Sequence, residues 1–222
     1  MAITFVQKAA PGSYSNVPLY AQAFGSPVAA GNLLVVCAQS GADKAIISPI
    51  VDTLLNSWNL AINYNPTAGV YENVWWAVAN GNGADTITVT FTGASFQAIE
   101  ISEWHTDVAG TWTVDTAFVG NDTSSGNPQL SSAINTNFAT ELVLSTFHLF
   151  GSWASTNSPF TAGDHPSSAM GWNYYLPTTT QTGLQCGINT GNRALITIGS
   201  FYVAAAPPPS TAFPSIQTFW MG

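Results

Sequence analysis

Between Asp85 and Thr92 apolar and polar residues alternate without a break. Ile87, Val89 and Phe91 fall on one side, and Thr86, Thr88, Thr90 and Thr92 on the other. Successive side chains of a strand point to opposite faces, so this stretch predicts a strand with one packed and one hydroxyl-lined face. Asn80–Gly83 (NGNG) before it and Gly93–Ser95 (GAS) after it tolerate positive φ and suit hairpin connections. The flanking runs Val70–Ala79 and Phe96–His105 are more continuously apolar, which places them centrally in a sheet. Val70–His105 as a whole reads as a three-strand antiparallel meander.

The same reading extends along the chain. Thr4–Lys8 and Val17–Phe24 are opening strands separated by a turn at Pro11-Gly12, and Leu33–Cys37 is an apolar run that reads as a strand buried on both faces. Ile46–Tyr64 is read as two strands, although the spacing of Ile50, Val51, Leu54, Leu55 and Trp58 would also suit a short helix. Thr111–Phe118 alternates, Gly120–Pro128 (GNDTSSGNP) is a turn cluster, and Gln129–Ile134 is a short edge strand. Glu141–Phe150 is a second strongly apolar strand, Trp153–Met170 an irregular loop, and Thr178–Ile188 and Ala194–Ala204 the closing strands. About a dozen short strands without a convincing helix predict an all-β fold, an antiparallel β-sandwich of jelly-roll type. No fixed-period repeat stands out.

The character changes after residue 204, dividing the chain into a sandwich domain, 1–204, and an extended C-terminal arm, 205–222. Pro207, Pro208 and Pro209 impose an extended backbone. Phe213, Ile216, Phe219, Trp220 and Met221 then follow within a few residues. A free tail should be polar and charged. This one is apolar, and those five residues are the expected contact with another subunit.

Composition narrows the partners. Only 6% of the 222 residues are charged, with three basic residues (Lys8, Lys44, Arg193) against eleven acidic ones and a net charge of −8. Phosphate recognition needs clustered Lys and Arg, so nucleic acid is not an expected partner, and anionic membrane surfaces are disfavoured for the same reason. No window approaches the ~18 consecutive apolar residues of a membrane span. Met1–Ala10 lacks the basic and apolar regions of a secretion signal and reads better as a strand. A surface whose polarity comes from hydroxyls and amides suits a subunit packed against others, or an extracellular domain that faces sugars. Cys37 and Cys186 could pair if their strands are neighbours, but two isolated buried thiols are the commoner arrangement.

Four stretches carry a likeness: Ala30–Val36 (AGNLLVV), Trp76-Ala77, Asp85–Phe91 (DTITVTF) and Ala98–Trp104 (AIEISEW). Together they resemble a β-sandwich domain that recurs in bacterial surface and phage-associated structural proteins, over roughly Leu19 to Phe150. The resemblance implies a sandwich fold and a virion or cell-exterior setting, and it carries no catalytic residues across.

Candidate chemistry is sparse. Glu100, Glu103 and Asp107 lie near Trp104 and His105, and paired carboxylates ~5–9 Å apart could cleave a glycoside. Glu100 and Glu103 are three apart on a strand, however, and so face opposite sides, which favours structural roles. His105, His148 and His165 lack metal-ligand spacing. Asn121-Asp122-Thr123 offers only part of a calcium ligand set. No nucleophile elbow, phosphate loop or dinucleotide fingerprint occurs, and no cofactor is expected. The eight tryptophans are more than a core needs, and Trp153 and Trp172 bracket the long loop as candidates for stacking on sugar rings. The expectation is therefore a non-enzymatic structural subunit, most simply a phage virion component such as a capsid decoration or tail-surface protein, that self-associates. A carbohydrate-binding module is the alternative, and a polysaccharide-cleaving enzyme is a distant third.

Overall fold

In a computed structural model the chain is described over residues 2–10, 16–41, 46–66, 70–93, 96–124, 126–163 and 170–205, with backbone only at 46–49. The arm residues Phe213, Ile216, Phe219, Trp220 and Met221, together with His165, lie outside the described residues. Every regular element among the described residues is a strand, and every pairing is antiparallel.

The first half of the chain contains β1 (Ile3–Ala9), β2 (Leu19–Ala23), β3 (Leu33–Gly41), β4 (Ile46–Asp52), β5 (Asn59–Tyr64), β6 (Val70–Val78), β7 (Thr86–Phe91) and β8 (Ala98–Thr106). They form a five-stranded sheet, β1-β8-β3-β6-β5, and a three-stranded sheet, β2-β7-β4. The second half contains β9 (Gly110–Val114), β10 (Val119–Thr123), β11 (Gln129–Leu130), β12 (Leu142–Leu149), β13 (Ser155–Thr156), β14 (Thr161–Ala162), β15 (Met170–Tyr175), β16 (Gly187–Asn189) and β17 (Ala194–Ala205). Their order is β10-β17-β12-β15-β14, with β9 continuing the β10 edge along β17, and β11-β16-β13. If β9 and β10 are counted as one interrupted edge strand, the two halves have the same eight-strand order. Even the isolated bridges correspond: Val28 with Gly83, and Ile134 with Leu184.

The four sheets stack in layers, and the central strands show why. Alternate residues of β3 serve different cores: Leu33, Val35 and Cys37 join one cluster, and Leu34, Val36 and Ala38 another. β12 divides likewise, with Leu142 and Leu144 in the shared cluster and Val143, Phe147 and Leu149 in a third. The two large sheets therefore face each other across a middle core built on Trp104, Trp112, Trp172 and Phe201, and each small sheet covers an outer face. Strands buried on both faces can run apolar without alternation, as β3 does from Leu33 to Ala38.

The alternation at β7 is realised: Ile87, Val89 and Phe91 are fully buried. The meander is not. β7 lies in the small sheet while β6 and β8 lie in the large one, each paired with β3, so Asn80–Gly83 carries the chain from one layer to the other rather than around a hairpin. Periodicity reports which side of a strand is packed, and it is silent on which neighbour the strand pairs with. Ile46–Tyr64 forms two strands and no helix. Val119–Thr123 is a strand although Gly120–Pro128 reads as a turn cluster, and β15 falls where the pattern predicts no strand.

Candidate functional site

The carboxylates near Trp104 resolve into structural roles. Glu103 is fully buried and receives hydrogen bonds from Gln7 Nε2 (2.6 Å), the Ala29 amide (2.9 Å) and Asn32 Nδ2 (2.6 Å). It ties the edge strand and the turn before β3 to the end of β8. The second half solves the same problem with Glu141, which is buried just before β12 and accepts from the Phe138 amide at 2.7 Å. Asn32 and Glu141 each immediately precede a central strand, and Ala29 and Phe138 each stand three residues earlier. The repeated solution identifies both acids as caps of a turn. Burial pushes the Glu141 carboxyl up to about 7, against the opposing pull of the Ser200 and Phe138 hydrogen bonds and with Asp115 adding to the rise.

Glu100 faces the opposite side, into the middle core, as the parity of the strand requires. Glu72 of β6 faces the same space. It is fully buried, and it accepts from Gln39 Nε2 at 2.8 Å and, more weakly, from Thr146 Oγ1 at 3.4 Å. Burial drives its pKa well above the usual carboxylate range, against the lowering pull of the Thr146 hydrogen bond. Gln39 also donates to the Phe147 carbonyl at 2.9 Å, linking the two large sheets. Glu72, Glu100 and Gln39 are each at most 2% exposed, and the hydrogen bonds of Gln39 and Glu72 between the sheets hold the layers in register.

The other sequence candidates are also accounted for. Asp122 is engaged by Arg193 through Nε (2.7 Å) and Nη2 (2.5 Å), so its carboxylate serves an ion pair. His105 Nδ1 meets Asn32 Oδ1 at 2.8 Å, and burial lowers the pKa of His148 to about 4. No group of three or more acidic, His or Cys side chains that could hold a metal occurs among the described residues. Cys37 and Cys186 are both buried free thiols, and burial pushes Cys186 up to about 12. Trp172 is only 1% exposed and packs edge-on against Trp104, with ring centroids 5.9 Å apart. It is a core residue and offers no face for stacking. Trp153 is half-buried against the outer core of the second half.

Two surface features remain. The first is the outer face of the small sheet β2-β7-β4. Leu19, Ala21 and Ala23 of β2 stand beside Thr90, Thr88 and Thr86 of β7, and Val51 of β4 stands on the other side of Thr88. None of these side chains is charged, and Leu19 and Val51 are each more than half exposed. The second is a cleft of about 450 Å³ at the adjoining β4–β5 turn, lined by Val51, Asp52, Leu55, Asn56 and Trp58 among others. Comparison with known families, curated proteins and solved structures finds no match. The site must therefore be read from its own chemistry. Sequence reasoning missed both features. The hydroxyl face of β7 was legible, but its apolar flanks depend on which strands pair with it, and Trp58 gained meaning only from the turn that positions it.

Proposed function

We propose that the protein is a non-enzymatic structural subunit of a multi-chain assembly, with a phage virion component as the most economical setting. The observation that carries this reading is the outer face of β2-β7-β4, a sheet surface without a single charge among its described side chains and with Leu19 and Val51 exposed. Exposed apolar sheet surface that is not blunted by charge invites docking. A chain with 6% charged residues opposes the approach of a second copy only weakly. The resemblance to surface and phage-associated sandwich domains points the same way, and the apolar residues Phe213, Ile216, Phe219, Trp220 and Met221 supply a second contact in this reading.

Sedimentation of the full chain tests it. Leu19→Asp and Val51→Asp alter outward positions, so they should leave the fold intact and shift the protein to a smaller species. A chain ending at Ala206 should do the same if the arm contributes. Association unchanged in all three variants would overturn the proposal.

A further inference from the structure

The cleft beside the β4–β5 turn has the construction of a ligand site; it shares Val51 with the outer face of β2-β7-β4, and its other lining residues have no part in the assembly reading. Its organiser is Asp52, which is 8% exposed at the end of β4. One carboxylate oxygen accepts the Asn56 amide at 3.0 Å, and the other accepts the Trp58 indole N–H at 2.6 Å. The indole is therefore pinned by its only donor. What it offers the cleft is ring surface, which suits stacking rather than hydrogen bonding.

A further layer holds this arrangement still. Asn56 is buried, accepts the Asn80 amide at 2.7 Å and reaches Asp85 through Nδ2 at 3.4 Å, while Thr53 donates to Asp85 at 3.0 Å. Asn80 Nδ2 in turn donates to the Leu55 carbonyl at 2.9 Å. The turn is thus fixed from behind before any ligand arrives, which lowers the entropic cost of binding. Leu55 is the exception. It has φ of +56° and is 83% exposed, a strained backbone under a large apolar side chain turned to solvent. Strain of this kind concentrates at ligand clamps, where the surrounding structure over-determines it. Leu55 stands at the rim of the cleft and Trp58 lines it.

The chemistry selects the ligand class. The walls are apolar and aromatic, with a volume within the range of small-molecule sites. The polar groups are an acceptor carboxylate with lone pairs left over, the Ser57 hydroxyl, and the Asn56 amide, whose side chain is already engaged by Asn80 and Asp85. Among the described residues no Lys or Arg lines the cleft, which gives it no preference for an anion. A ring with one apolar face and a rim of hydroxyl donors fits those walls. We propose that this cleft binds a neutral saccharide, with the sugar ring stacked on Trp58 and its hydroxyls donating to Asp52. A small organic cation is the rival, because an indole beside a carboxylate also attracts a quaternary ammonium.

Calorimetric titration of the intact chain with glucose, galactose, N-acetylglucosamine and their β-linked dimers, with choline in parallel, decides the matter. At least one saccharide should bind at millimolar concentration or below, with Trp58→Ala weakening it tenfold or more and Trp58→Phe by only a few-fold. Leu55→Gly supplies an independent check. It relieves the positive φ, so the melting temperature should hold or rise while affinity falls several-fold. No saccharide binding at about 10 mM overturns the proposal, as does choline binding alone or full affinity in a folded Trp58→Ala or Leu55→Gly variant.

Discussion

Two perturbed groups of the second half, Glu141 and His148, titrate in opposite senses, and the difference can be measured. Glu141 has a pKa raised from 4.5 to about 7. The folded chain therefore holds that proton more tightly than the unfolded chain does. The associated stability is fully present below pH 4.5 and is lost as pH rises toward 7. At 1.36 kcal/mol per unit, the loss is at most about 3 kcal/mol. His148 is shifted the other way, from 6.5 to about 4. Here the unfolded chain binds the proton more tightly, so stability is present above 6.5 and is lost as pH falls toward 4, by a similar amount. Between about 4.5 and 6.5 the two slopes oppose each other, and the wild-type profile conceals both. Glu72, also raised, adds to the Glu141 slope. Urea unfolding of wild type, Glu141→Gln and His148→Asn at half-unit steps from pH 4 to 8 separates them. Relative to wild type, Glu141→Gln should gain stability as pH rises through 4.5–7, and His148→Asn should gain it as pH falls from 6.5 to 4. Variant curves that run parallel to wild type would refute the assigned shifts and the burial argument behind them.

The packing makes further predictions. Ile87→Ala should cost about 2–5 kcal/mol by chemical denaturation, because Ile87 has no exposed surface, whereas Thr88→Ala on the other face should cost less than about 0.5. Gly199→Ala would drive a Cβ into the Phe118 ring in the middle core and should lower stability by about 1–3 kcal/mol, read as a shift in urea midpoint. Glu103→Gln turns an amide donor toward groups that already donate, so it should cost about 1–3 kcal/mol with the fold retained by circular dichroism. Asp122→Asn removes a partly exposed ion pair with Arg193 and should change stability by no more than about 1 kcal/mol, less at high salt.

Most strands and their packed faces were legible because alternation and continuous apolar runs report burial directly. Leu33–Cys37 is the clearest case: a run without polar interruption requires cover on both sides, and the four-layer stack supplies it. Sheet membership was not legible. β7 looks like the partner of its sequence neighbours, yet it pairs with β2 and β4, because a side chain's polarity carries no record of which backbone lies beside it. The repeat was hidden for a related reason. The halves share strand order but differ in loop length, and corresponding positions hold different residues, such as Cys37 and Thr146 or Trp104 and Phe201. Glu103 could be placed on its strand face from parity alone, while its three donors come from residues distant in sequence. Trp58 and Asp52 were present in an apolar window whose turn geometry, including a positive φ at Leu55, no local preference would select.

Among the described residues no hydrogen-bonded ladder joins β1–β8 to β9–β17. Each sheet is drawn from one half alone, and the covalent link between them is the short stretch from Asp107 to Ala109. Joined by side chains across Trp104, Trp172 and Phe201, the halves meet as two subunits of a tight dimer would, with a tether in place of a second chain. A break in that tether would remove effective concentration and leave the packing of Trp104 against Trp172 in place. The protein is thus a natural candidate for fragment complementation: residues 1–107 and 108–222, co-expressed, should reassociate through the middle core that each half alone would leave uncovered.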